Sequence, residues 1–234
     1  MISRMLNAGR ACARALLGYA ALLTIATQAS ALPVACEPPY CVTWSEESGG
    51  NGHRYSFVSV TPDVTWTAAK ALAEISRLDD GSVGSLVTIG SAEEQAFVQS
   101  QVLPPTYVGV NRNQVWIGGN QDPNQPPDQG WKWIVNPEIT PEGWDYTNWS
   151  DPGEPNDDDS RIDERFLTMW VHYYRAGLGD LRGTWNDEQD LANPTARIIG
   201  MLVEWANPSV PEPGTSALAA LAIGMLALRH FRRC

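Results

Sequence analysis

The sequence predicts an α+β domain of about 150 residues, an ordinary size for a single hydrophobic core. Three observations predict it. Helical spacing of apolar residues is confined to two stretches between Thr65 and Gln101, short extended runs follow, and Trp, Gly, Pro and Asn dominate the long segments between those runs. No internal repeat is visible.

Both ends of the 234-residue chain read as processing segments outside that core. Arg4, Arg10 and Arg14 accompany an apolar stretch over 15–26 and a small-x-small site at Ala29-Ser30-Ala31, the layout of a secretory signal peptide over residues 1–31. The apolar stretch is shorter than the roughly 20 residues a spanning helix needs. At the other end, Val210-Pro211-Glu212-Pro213-Gly214 precedes an Ala- and Gly-rich apolar segment over 216–228 and then Arg229, Arg232 and Arg233. A short, weakly apolar run ahead of a basic cluster suits a transient membrane anchor better than a permanent one.

Three basic residues lie in the leader and three in the tail, which leaves ten between them against 26 of the 27 acidic residues, Glu212 lying in the tail. A domain so acidic lacks the positive patches that nucleic acid or an anionic membrane surface requires, and divalent cations are its natural partners. Cys12 and Cys234 belong to the end segments, so the exported chain keeps Cys36 and Cys41 for one local disulfide. Such a bridge closes a small loop, and the core must stand without it.

A Pro-rich lead occupies residues 32–54, and the folded domain is expected over 55–207, with the tail at 208–234. Alternation over 55–60 predicts the first strand. Trp66, Ala69, Leu72, Ala73 and Ile75 predict a helix over 65–77, stopped by Asp79-Asp80-Gly81. After an extended run over 85–89, Ser91 and Glu94 have the spacing of a capping box for a second helix reaching about Gln101. Short strands follow at 115–118, 131–134, 166–171 and 199–205. The stretch between Asn120 and Arg165 is a long loop region rich in tryptophan, which implies an ordered, functional loop.

Between 151 and 164 that region holds Asp151, Glu154, Asp157, Asp158, Asp159, Asp163 and Glu164. By itself such a run is a solvated, self-repelling face. Its neighbours change the reading. Pro155 fixes the chain between Glu154 and Asn156, so that a carboxylate and an amide carbonyl can face one way, and Trp185-Asn186-Asp187 supplies a second such pair at a strand. Calcium takes roughly six to eight oxygens from groups of these kinds, so the two pairs and Glu164 nearly complete a shell and leave room for a ligand.

The order Trp116-Ile117-Gly118-Gly119, Trp131-Lys132-Trp133, Tyr146-Thr147-Asn148-Trp149, Gly153-Glu154-Pro155-Asn156 resembles the C-type lectin domain. The resemblance runs back through Ser91-Ala92-Glu93-Glu94 to the Trp66 helix and forward to Val203-Glu204-Trp205. It implies a C-type lectin-like fold, two helices packed on short antiparallel strands beside a long calcium-binding loop region. It also implies a calcium site at Glu154, Asn156, Glu164, Asn186 and Asp187, the first four of which would also bind sugar hydroxyls. The Glu-Pro-Asn order is the family's mannose-type arrangement, whereas Gln125-Pro126-Pro127-Asp128 has an extra proline and reads as plain loop. The chain departs from the family in its cysteines, with Phe166, Asp190 and Val203 where cysteine is common. The loop from Glu154 is also about two residues longer than the family's pattern, which leaves Asp163 and Asp159 as rivals to Glu164.

The tail resembles the PEP-CTERM sorting signal of Gram-negative bacteria, with Pro211, Glu212 and Pro213 as its motif. That resemblance implies processing by an exosortase and export toward the cell surface, outer envelope or extracellular matrix. No serine or cysteine nucleophile has a base nearby in sequence, and His53, His172 and His230 lack ligand spacing, so a hydrolase is not expected. Trp144 and Trp170 are the tryptophans free to serve as a sugar-stacking platform. The expected function is calcium-dependent carbohydrate binding. The alternative is a non-enzymatic adhesion or matrix protein gripping a protein ligand, with calcium only structural.

Overall fold

A computed structural model describes residues 36, 41–60, 64–105, 112–140, 142–157, 163–191 and 197–207. The signal peptide, the sorting tail with Pro211, Glu212 and Pro213, and Asp159 lie outside the described residues. Among the described residues, no helix is long and apolar enough to cross a membrane. The apolar tail segment is not among them.

The fold is α+β. Strands β1 (Cys41–Thr43) and β2 (Arg54–Ser59) precede helix α1 (Trp66–Glu74), strand β3 (Val83–Leu86) and helix α2 (Ala92–Phe97), which widens into a π-turn over Val98–Val102. Then come β4 (Asn113–Gln121), β5 (Trp131–Trp133), β6 (Phe166–His172), the small ladder of β7 (Tyr174–Arg175) and β8 (Gly179–Asp180), β9 (Trp185–Glu188) and β10 (Arg197–Ala206). The main sheet runs β1-β2-β10-β4-β6-β9, with β3 added to β10 and β5 to β4. Its pairings are antiparallel except that of β10 with β4.

Each helix begins where a side chain satisfies an exposed amide. The Thr65 side chain accepts from the Ala68 N–H at 3.1 Å, and the Ser91 side chain accepts from the Glu94 N–H at 3.1 Å. The capping box is only half made. The Glu94 carboxylate turns instead to the Tyr55 hydroxyl at 2.6 Å and the Gly90 N–H at 2.9 Å, because a buried phenol needs an acceptor. Helix α1 stops at Glu74, short of the expected 77, because the chain turns back there: the Gly84 N–H bonds the Ser76 carbonyl at 2.8 Å and Arg77 bridges Val83.

Alternation along β4 and β10 separates two apolar layers. Val115, Ile117 and Leu202 join Tyr55, Val98, Leu167 and Met169 on one face, while Trp116, Met201 and Val203 join Trp66, Ala69 and Leu86 on the other. The sheet reaches further back than the expected start at Tyr55, since β1 pairs Cys41 with Ser56 and Thr43 with Arg54. Cys36 is disulfide-bonded to Cys41 at the head of that strand. Trp170 does not offer a stacking platform: it is 3% exposed and packs against Leu181 and Tyr173.

Candidate calcium and ligand site

The site grows from strand β9. Its residue Trp185 is fully buried among Trp133, Trp144, Tyr146 and Trp149, and the indole N–H donates to Gln95 Oε1 at 2.9 Å. On one side β9 pairs with β6, placing Asn186 opposite Thr168 and Asp187 opposite Leu167. On the other side the 148–150 segment runs beside it, with the Trp185 N–H on the Asn148 carbonyl at 2.8 Å and the Ser150 N–H on the Trp185 carbonyl at 2.9 Å. That segment leads directly to Asp151 and Glu154, so the two halves of the expected site meet.

The meeting is at Asp187, which is 1% exposed. Its Oδ2 accepts the N–H groups of Asn156 at 3.0 Å and Asp157 at 3.1 Å. Its Oδ1 is buried and has no hydrogen-bond partner. The peptide bond between Glu154 and Pro155 is cis. Burial, then the charges of Asp187, Glu164 and Asp151, hold the Glu154 carboxyl above the usual carboxylate range. Burial raises Asp187 as well, against the bonds it accepts.

Three of the five expected ligands thus bring carboxyls into one neighbourhood: Glu154, Glu164 and Asp187. The two amides join differently. Asn156 takes part through its backbone while its side chain is exposed, and the Asn186 amide donates to the Asp187 carbonyl at 2.6 Å. Among the described residues, no three carboxylates, imidazoles or thiols are drawn into a ready-made metal cage. The three carboxyls lie close enough to repel one another without being gathered to ligand distances. Like charges held together, with a buried oxygen lacking a donor, are what a hard cation relieves, so the residues present fit calcium.

Asp163, a rival to Glu164, is 54% exposed and paired with Arg165 at 2.9 Å, whereas Glu164 is 6% exposed. One contributor escaped the sequence reading. Asp157, in the left-handed region at φ 50, accepts the Glu164 N–H at 3.0 Å while its own N–H bonds Asp187, so it ties Glu164 to Asp187. Only its position directly after Asn156 set it apart within the acidic run. Asp151, in turn, pairs with Arg175 at 2.5 Å and accepts the Gly153 N–H at 3.1 Å.

Residues 66–191, more than half of the chain, match the Lectin C-type domain family. The chain belongs to the C-type lectin domain family. Residues 209–233 match the PEP-CTERM protein-sorting motif. Among solved structures, this C-type lectin domain is similar to the C-type lectin CEL-I from Cucumaria echinata, at 21% identity over 67% of this chain and 92% of that one, with a TM-score of 0.45. It is similar also to CEL-IV, at 18% identity over 77% and 99% of the two chains and a TM-score of 0.46. Ovocleidin-17, a major protein of the Gallus gallus eggshell calcified layer, is 18% identical over 74% and 99%, with a TM-score of 0.39. No curated protein matches the chain in sequence.

Proposed function

We propose that this C-type lectin domain is a calcium-dependent carbohydrate-binding module of an exported envelope or matrix protein, with no catalytic role. In this reading calcium is held by Glu154, Asn156, Glu164, Asn186 and Asp187. When bound it supplies a Lewis-acidic centre that two neighbouring sugar hydroxyls can approach. The protein's own part is hydrogen bonding: the carboxylates of Glu154 and Glu164 accept from those hydroxyls, and the amides of Asn156 and Asn186 donate to them. The exposed Asn156 and half-buried Glu154 put this edge at the surface, where a glycan can reach it.

The observation that carries the reading is the buried, partnerless Oδ1 of Asp187 beside the Glu154 and Glu164 carboxyls. Such an arrangement costs stability unless a proton or a cation offsets it. The Glu-Pro-Asn order gives the sugar preference as mannose, glucose, fucose or N-acetylglucosamine, whose relevant hydroxyls are equatorial. Residues 1–31 act as the export signal in this reading, and 208–234 as a transient anchor removed by an exosortase-type enzyme.

Calorimetry with mannose and galactose, in calcium and in EDTA, tests the proposal. Mannose should bind only in calcium, and Glu154→Gln combined with Asn156→Asp should move the preference toward galactose. Sugar binding that survives EDTA, or no glycan bound in calcium, contradicts it.

A further inference from the structure

A second group of carboxyls lies away from the Glu154 and Asp187 site, where Glu94 and Glu142 line a cleft of about 420 Å³ together with Trp44, Asn51, Ser91 and Asp145. Glu204 of β10 is buried behind them. Two of the three have donors. Glu204 accepts the Thr88 N–H at 3.0 Å, and Glu94 accepts the Tyr55 hydroxyl and the Gly90 N–H. Glu142 differs: its Oε2 is buried without a hydrogen-bond partner, seated over Gly90, where any side chain would run into the carboxyl.

The groups facing Glu142 are almost all acidic. They are Glu94 from α2, Glu204 from β10 and, exposed on its own loop, Asp145, with the Tyr55 hydroxyl of β2 held by Glu94. Among the described residues, the cationic candidate beside this group is His53, whose Nδ1 is 3.9 Å from Glu204 and whose burial disfavours its charged form. Three carboxyls so close, one lacking any donor, do not all ionise together. Burial first and the Glu94 charge second push Glu142 up to about 7, and burial raises Glu94 and Glu204.

We propose that Glu142 is a proton-dependent latch: protonated, its carboxyl seats on Gly90 and pins the segment 142–146 against the start of α2, and ionised, it leaves for solvent and releases that segment. The open cleft gives water and protons access to it. What it holds reaches the aromatic core. Trp144 packs 4.6 Å from Trp133 and 5.8 Å from Trp185, and Tyr146 packs 5.7 Å from Trp185, the residue before Asn186 and Asp187. The latch therefore secures the chain that backs strand β9, and it does so whether or not that strand holds a metal.

The sign follows from the tighter proton in the folded state. The contribution is complete below the ordinary carboxyl value of 4.5 and is lost as the pH rises through about 7. Hydrogen exchange of the exported protein in EDTA, read on residues 142–146 between pH 5.5 and 8.5 and corrected for intrinsic exchange, tests this. Opening of the segment should increase by up to about tenfold per pH unit as the pH approaches neutrality and should level off above about pH 7. Glu142→Gln should keep the segment closed across the range. Gly90→Ala, whose methyl takes the carboxyl's seat, should leave it open throughout. Exchange that ignores pH in the natural protein, or a pH response that persists unchanged in Glu142→Gln, overturns the latch. Titration of Glu94 and Glu204 moves the melting temperature of all three proteins and leaves this local comparison intact.

Discussion

Asp187 has one oxygen used twice and the other not at all, at a position only 1% exposed. Its backbone partners hold the turn after the cis Glu154 to Pro155 bond, and its free oxygen faces a region crowded with carboxyls. Asp187→Asn keeps an acceptor for the Asn156 and Asp157 amides and gives the empty side a donor toward Glu154. In EDTA this variant should be more stable than the natural protein by about 1 kcal/mol in chemical denaturation, while its calcium affinity falls by orders of magnitude. Glu154 adds a pH dependence. Burial and then its acidic neighbours raise its carboxyl, so the metal-free domain gains stability as pH falls from neutral toward the ordinary carboxylate range and loses it as pH rises. Calcium must displace that proton, so its affinity should run the opposite way and weaken from pH 8 to pH 6 in calorimetric titrations.

At the scale of elements, α2 and β9 are tied by one side chain. Gln95 accepts the Trp185 indole N–H at 2.9 Å and donates to the Gly183 carbonyl at 2.8 Å. Gln95→Leu leaves the Trp185 indole N–H buried without a partner, and the Gly183 carbonyl keeps only the Asn148 amide at 3.1 Å, so the change should cost about 1–3 kcal/mol of stability by urea denaturation, with calcium affinity reduced because β9 is less firmly placed. Much of this scaffold was legible in the sequence. Thr65 and Ser91 mark helix starts because their oxygens have the spacing to take an exposed amide; alternation marks β2, while β4 and β10, buried on both faces, show as near-continuous apolar runs. Strand β1 and the β7 and β8 ladder were not legible: two or three residues carry no period, and the ladder depends on glycines 177 and 179 at φ 93 and 90. Trp170 misled because the same side chain serves a core and a stacking platform equally well. In the site, Glu154, Glu164 and Asp187 stood out by residue type and order. Asp157 did not, since its value lies in a backbone conformation and two hydrogen bonds that only the folded loop creates.

Over the whole molecule, the domain concentrates negative charge, with ten basic residues against 26 acidic ones once leader and tail are set aside. The core is a sheet with helix α1 on one face and α2 with the tryptophan cluster on the other, and Cys36–Cys41 reaches neither layer's centre. Stability in the loop region therefore depends on packing and on whatever neutralises its carboxyls. A ligand that binds only the folded state adds about 2.7 kcal/mol at a hundredfold excess over its Kd. Calcium at that excess should raise the melting temperature by several degrees in scanning calorimetry, and EDTA should reverse the shift.

The most direct measurement of the central claim is a calorimetric titration of calcium into the metal-free protein, repeated on Asp187→Asn and Glu154→Gln. The site described here predicts saturable binding in the natural protein that each substitution removes or weakens by at least about a hundredfold. No heat of binding, or binding that both variants retain unchanged, contradicts it.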